Sequence, residues 1–188
     1  RGVLKRISRR AGGVAAGMSA ASQAKRVQPS AEVIALERGP DISYGGCGMP
    51  YNIGDPGRRI DDLIAISRER FLTERNIEVR TRHEARAIDT EKKKVEVWST
   101  EDSKSYDLPY DRLVVATGAR PFRPPLEGMD LPGVFVLREL SHGAAIKAFI
   151  AERKPARAVI VGAGYIGMEM AEALRALGIG VTVLEMMD

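Results

Sequence analysis

The chain has 188 residues, 44% hydrophobic and 29% charged, with 29 basic against 25 acidic residues and a net charge of +4. That length holds one domain or two small ones, no apolar run reaches the ~20 residues of a membrane-crossing helix, and one cysteine with two histidines offers neither a disulfide framework nor a zinc-ligand cluster. Five of the basic residues fall in the first ten positions, and five Tyr, four Phe and one Trp leave little for base stacking, so the charge is not a nucleic-acid signature.

The opening RGVLKRISRR is a poor first strand. A central parallel strand is nearly all apolar, and burying Lys5, Arg6, Arg9 and Arg10 unpaired is costly. The tail reads in three ways: it lies outside the fold and the first strand is missing, it replaces the strand that stood before Ala11, or it is a short basic leader. The chain starts at Arg1 and stops at Asp188 just after VTVLE, so both ends read as cut.

Residues 11–39, AGGVAAGMSAASQAKRVQPSAEVIALERG, read as a glycine turn, an alanine-rich helix over 15–27 and a short strand ending at Glu37. Turn, helix, strand and acid make the second half of a βαβ unit. Gly12, Gly13 and Gly17 form the turn, with Val14 where G-x-G-x-x-G has its second glycine.

ISYGGCGMPYNIGD, residues 42–55, carries the sole cysteine, Cys47. Glycines at 45, 46 and 48 let a large planar group approach the backbone. A helix beginning at Cys47 would lower the thiol pKa, and Pro50 suits a helix's first turn. Composition alone favours a plainer reading, a small buried residue.

SRERFLTERN, residues 67–76, is a short amphipathic helix. Residues 77–107 alternate through IEVRTRHEARAID and VEVWST, with turns at EKKK and EDSKS, which predicts antiparallel strands with one wet face. Trp98 reads as sheet packing and His83 and His142 as surface residues. LVVATGARP is a buried strand running into glycine, and PFRPPLEGMDLPGV a proline-rich connector.

Residues 157–185 repeat the first block as strand, glycine turn, helix, strand and acid. Gly162, Gly164 and Gly167 satisfy G-x-G-x-x-G between a strand and a helix. The first glycine makes the turn, the second admits a pyrophosphate, and the third lets helix and strand pack closely. Glu185 stands where an acid receives ribose hydroxyls, and a carboxylate there repels a 2′-phosphate, which favours NADH over NADPH. Two copies of one unit predict an α/β chain of Rossmann-like FAD/NAD(P)-binding fold, the second unit incomplete and an antiparallel meander inserted in the first. The expected division is 1–122, its first strand open to question, and 123–188.

GGVAAGMSAAS, ERGPDISYGGCGMPYNIGD, YDRLVVATGARPFRPP and VVGAGYIGMEMAEAL, in that order, resemble the pyridine nucleotide–disulfide oxidoreductases. More narrowly they resemble the single-cysteine branch with coenzyme A disulfide reductases, NADH oxidases and peroxidases, and polysulfide reductases. The resemblance implies that Gly12, Gly13, Val14, Ala15, Gly17, Glu37 and Arg38 hold FAD, with Thr117 and Gly118 close to it. Cys47 would be the redox residue, cycling between thiolate and a mixed disulfide or sulfenic acid. Gly162, Gly164, Ile166, Gly167 and Glu185 would bind NADH, with Tyr165 over the flavin and Glu169 toward the nicotinamide. Family members with two cysteines use a C-x4-C pair, which this chain lacks. Peroxidases of the branch carry a histidine where Ala15 stands, which favours a thiol or persulfide acceptor, such as coenzyme A disulfide, over peroxide. The family continues beyond this length into a dimerisation domain, so the resemblance implies a homodimeric, cytoplasmic parent of which this is an N-terminal piece, inactive alone, with no membrane or nucleic-acid partner.

Overall fold

The computed structural model describes residues 14–186 and, as backbone, residues 3–7. Two compact units are present. The first is the chain up to Tyr44 with Ile64–Arg120; the second is Gly45–Leu63 with the chain from Pro121 onward. This division falls at 120/121, next to the expected 122/123, and groups the cysteine segment with the C-terminal unit.

The first unit holds a four-stranded sheet of order β3-β2-β1-β7. Its strands are β1 (Val3–Ile7), β2 (Glu32–Leu36), β3 (Glu78–Arg80) and β7 (Arg112–Val115), all parallel. Leu4 faces Val33 on one side and Arg112 on the other. The sheet thus has its first strand, contrary to the reading in which the tail lies outside the fold. A parallel ladder is made by backbone groups, so a basic sequence can supply it. The remainder of the tail, residues 1–2 and 8–10, lies outside the described residues.

β2 is buried on both faces, which is why EVIAL has no polar alternation. Val33 and Ala35 join Met18 and Ala21 of α1 (Ala16–Val27) and Phe71 of α3 (Arg68–Arg75) in one core. Ile34 and Leu36 face Ala85, Val95, Val97 and Leu108 in another. Those last four come from an antiparallel sheet, β4 (His83–Asp89), β5 (Lys94–Ser99) and β6 (Lys104–Pro109). The meander therefore begins at His83 and not at residue 77. Ile77 is fully buried and Glu78–Arg80 extends the parallel sheet, since three residues of alternation look alike in either kind of ladder. β7 is an edge strand and only half-buried, with Val115 exposed.

In the second unit, β8 (Arg157–Val161) and β9 (Gly180–Leu184) pair in parallel, joined by α5 (Tyr165–Ala176). α4 (Leu140–Arg153), which the sequence pattern did not reveal, precedes them and ends at Lys154 in the left-handed region. Ile146, Met170, Leu174 and Ile179 share a core with Ile53 of α2 (Met49–Ile53). Two glycines let these helices close: a Cβ on Gly143 would lie 3.0 Å from Ile60 Cδ1, and one on Gly54 3.1 Å from the Ala173 backbone. Among the described residues no helix is long and apolar enough to cross a membrane.

Candidate functional site

In the first unit, Val14 and Ala15 form the turn into α1, and Gly17 is buried at its start. Among the described residues α1 has no side-chain cap, and its first turn holds no acid, which suits an anion at its start. Gly12 and Gly13 lie outside the described residues. Glu37, just past the end of β2, is 3% exposed. Its Oε1 accepts the Gly39 N–H at 2.8 Å, while its backbone N–H donates to the Arg80 carbonyl and its carbonyl accepts the His83 N–H. Arg38 beside it is half-buried. Thr117 and Gly118 follow β7, Gly118 at φ +64°. They border an open cavity of about 420 Å³ with Arg120 and with Glu84 and Arg86, the last two passed over in the sequence as part of a wet sheet face. Trp98 supports this wall, with the Arg86 guanidinium 4.2 Å from its ring centroid.

The histidines are not free surface residues. His83 is half-buried, its Nδ1 2.7 Å from the Thr81 carbonyl and its ring edge-on to Tyr106. His142 closes a capping box at the start of α4, accepting the Glu139 N–H at 3.3 Å. Both are held by local contacts that composition does not reveal.

In the second unit, the glycine turn after β8 has the geometry its spacing predicts. Gly162 has φ +104°, and a Cβ on Gly162 or Gly164 would meet nothing within 4 Å. A Cβ on Gly167 would lie 2.1 Å from the Gly162 carbonyl oxygen, so only glycine lets α5 approach the turn. Gly164 caps α5, whose first turn holds no acid. The Glu185 carboxylate accepts the Ala163 N–H and the Met186 N–H, each at 2.7 Å, so the acid at the end of β9 reaches the glycine turn. Tyr165 is 93% exposed, Ile166 is exposed and Glu169 half-buried beside the turn. An open cradle, a helix start with no side-chain cap and an acid across it fit a dinucleotide's phosphates and ribose.

Cys47 is exposed, so the plainer reading of a small buried residue is overturned. It sits in a 3-10 turn, Gly46–Gly48, that runs directly into α2, with Pro50 in the first turn of that helix. The turn is seated on Leu63. Gly45 N–H donates to the Leu63 carbonyl at 2.8 Å, and a Cβ on Gly48 would press on Leu63 at 2.7 Å. Among the described residues no group of His, Cys, Asp and Glu could hold a metal.

Residues 11–188 match the family described as pyridine nucleotide-disulphide oxidoreductase. An NADH oxidase of Methanocaldococcus jannaschii is 37% identical over 175 residues, 93% of this chain and 39% of that protein. A coenzyme A disulfide reductase of Staphylococcus haemolyticus is 34% identical over 92% of this chain and 39% of its own. The solved structure of an NAD-dependent persulfide reductase from A. fulgidus superposes with a TM-score of 0.91 at 38% identity, over 98% of this chain and 34% of that one. The chain thus spans about two fifths of the length of these curated relatives.

Proposed function

The chain belongs to the pyridine nucleotide-disulphide oxidoreductases, and from that premise we propose that it is the N-terminal part of an FAD- and NADH-dependent reductase of a small disulfide or persulfide. The carrying observation is the exposed single cysteine on a glycine-flanked turn. FAD and NADH, when bound, supply hydride transfer and two-electron storage. The rest falls to the chain's own residues.

Gly12, Gly13, Val14, Ala15 and Gly17 would receive the FAD pyrophosphate at the start of α1, Glu37 and Arg38 the adenosine side, and Thr117 and Gly118 the other flank of the same unit. Gly162, Gly164 and the start of α5 would hold the NADH pyrophosphate, with Gly167 keeping the helix close enough to do so. Glu185 would take ribose hydroxyls and disfavour a 2′-phosphate. Tyr165, Ile166 and Glu169 would line the nicotinamide side. Cys47, as thiolate, would displace one thiol from RSSR and keep the other half as a mixed disulfide, since these 188 residues hold no C-x4-C partner to close an internal one. The overall reaction is NADH + H⁺ + RSSR → NAD⁺ + 2 RSH. Coenzyme A disulfide is the acceptor we favour, supported by the names of relatives. A free exposed thiol suits a reducing compartment such as the cytoplasm, and the resemblance supports a homodimeric parent.

A purified chain incubated with FAD, desalted and titrated anaerobically with NADH tests the cofactor reading by its visible spectrum. Retained flavin that bleaches supports both half-sites; absence of retained flavin from the full-length protein would refute them. In that protein Cys47→Ser should abolish disulfide-dependent NADH consumption, and undiminished turnover would remove Cys47 from the mechanism. The 188 residues alone are expected not to turn over. A second reading, an NADH oxidase reducing oxygen, is favoured by the M. jannaschii relative; oxygen uptake unaffected by coenzyme A disulfide would select it.

A further inference from the structure

α2 has five residues, too few for a helix to persist on its own. Something outside it must hold the turn that displays Cys47. The segment 45–63 is closed at its base by the Gly45–Leu63 hydrogen bond. Its interior is filled by Asn52, 1% exposed, whose Nδ2 donates to the Arg59 carbonyl at 2.8 Å. Into this loop reaches Lys147, from the face of α4 that also carries Gly143, Ile146 and Ile150. The Lys147 ammonium donates to the Asn52 carbonyl (2.5 Å), Asn52 Oδ1 (3.1 Å), the Asp55 carbonyl (2.8 Å) and the Arg58 carbonyl (2.9 Å). Four oxygens around one half-buried nitrogen exceed what a solvated surface lysine collects, and the first of them belongs to the last turn of α2, where a cation satisfies orphan carbonyls.

We infer that Lys147 is the positioning residue of the cysteine loop: by gripping the 52–58 turn and the end of α2 it fixes the 3-10 turn that presents Cys47. Burial pushes the Lys147 pKa below its ordinary value, opposed by Asp55 and Asp62, which fits an ammonium enclosed by carbonyls. Asn52 is the second half of the device, since one side chain accepts from Lys147 and donates to Arg59. The anchoring stands on geometry alone; its consequence for turnover rests on the role proposed for Cys47.

The test is amide hydrogen exchange in the full-length protein. Lys147→Met should speed exchange at residues 46–54 by roughly tenfold or more, the size of effect expected when hydrogen bonds to a charged group are lost. Amides of α3, in the other unit, should keep their rates, and Lys147→Arg should recover most of the protection. The cysteine-dependent step of turnover should slow while flavin reduction by NADH does not. Unchanged exchange at 46–54, or equal acceleration everywhere, would overturn the inference. A failure of Cys47→Ser to affect turnover would instead overturn the function while leaving the exchange result to stand. Because Lys147→Met can fail to fold, acylation of the wild type by an amine-reactive ester gives a second reading. Lys147 should react about tenfold more slowly than exposed Lys104 and Lys154; equal rates would also overturn it.

Discussion

Gly164 and Gly167 separate binding from packing within four residues. A methyl on Gly167 meets the Gly162 carbonyl oxygen at 2.1 Å, backbone against backbone, so α5 must move off β8. Gly167→Ala should therefore destabilise the second unit by about 1–3 kcal/mol in denaturant unfolding. Gly164 has ordinary dihedrals, φ −66° and ψ 172°, and open space around it. Gly164→Ala should leave stability within about 0.5 kcal/mol of wild type while weakening NADH binding, measured by calorimetry or flavin reduction, because the methyl occupies the cradle. Spacing alone made both glycines legible. The exposure of Cys47 was not, since composition alone favours a small buried residue there; the structure displays it on a 3-10 turn seated on Leu63.

α3 shows an element written almost wholly in its own sequence. Ser67 caps it by accepting the Arg70 N–H, Asn76 ends it in the left-handed region, and Arg70 pairs with Glu74 one turn on. The hydrogen bond from Arg70 holds the Glu74 carboxyl below its ordinary value of 4.5. A carboxylate with a depressed folded-state pKa adds stability that is present above that ordinary value and is lost as pH falls through the lowered one. Glu74→Gln should thus lower the thermal midpoint slightly at neutral pH and low salt; the difference from wild type should vanish in acid and shrink in 1 M salt, since the pair is exposed. The neighbouring elements were less legible. β3 is three residues long and its partner is set by Ile34, Ala35 and Leu36 of β2, 44 residues upstream, so alternation could not say parallel or antiparallel. α4 has Leu140, Gly143 and Ile146 as its buried residues, too sparse an apolar stripe to stand out from its alanines and lysine.

At the scale of the molecule, the two units differ in how their sheets are covered. β2 is sandwiched between two cores, whereas among the described residues β8 and β9 have an apolar core on one face only. Val159 and Thr182 pair across the other face, as do Val161 and Leu184, and Val159, Val161 and Leu184 are 63%, 72% and 53% exposed. A parallel sheet is normally covered on both faces, and an apolar patch of this kind binds hydrophobic dyes and promotes association. The 188-residue chain should therefore enhance the fluorescence of anilinonaphthalene sulfonate. The pair Val159→Thr and Val161→Thr should reduce that signal; a signal unchanged by the pair would place the dye elsewhere.

The sequence by itself determined the second glycine turn, the helices α1 and α5, the acids just past β2 and β9, and the antiparallel pairing of residues 83–107. Each rests on local chemistry: a positive φ, a close approach, a period of two or of 3.6 residues. Only the tertiary structure decided that the basic opening supplies the central strand β1, that the cysteine segment belongs with the C-terminal unit, and that Lys147 holds it. These depend on backbone ladders and on hydrogen bonds between residues about ninety positions apart, which no local pattern encodes.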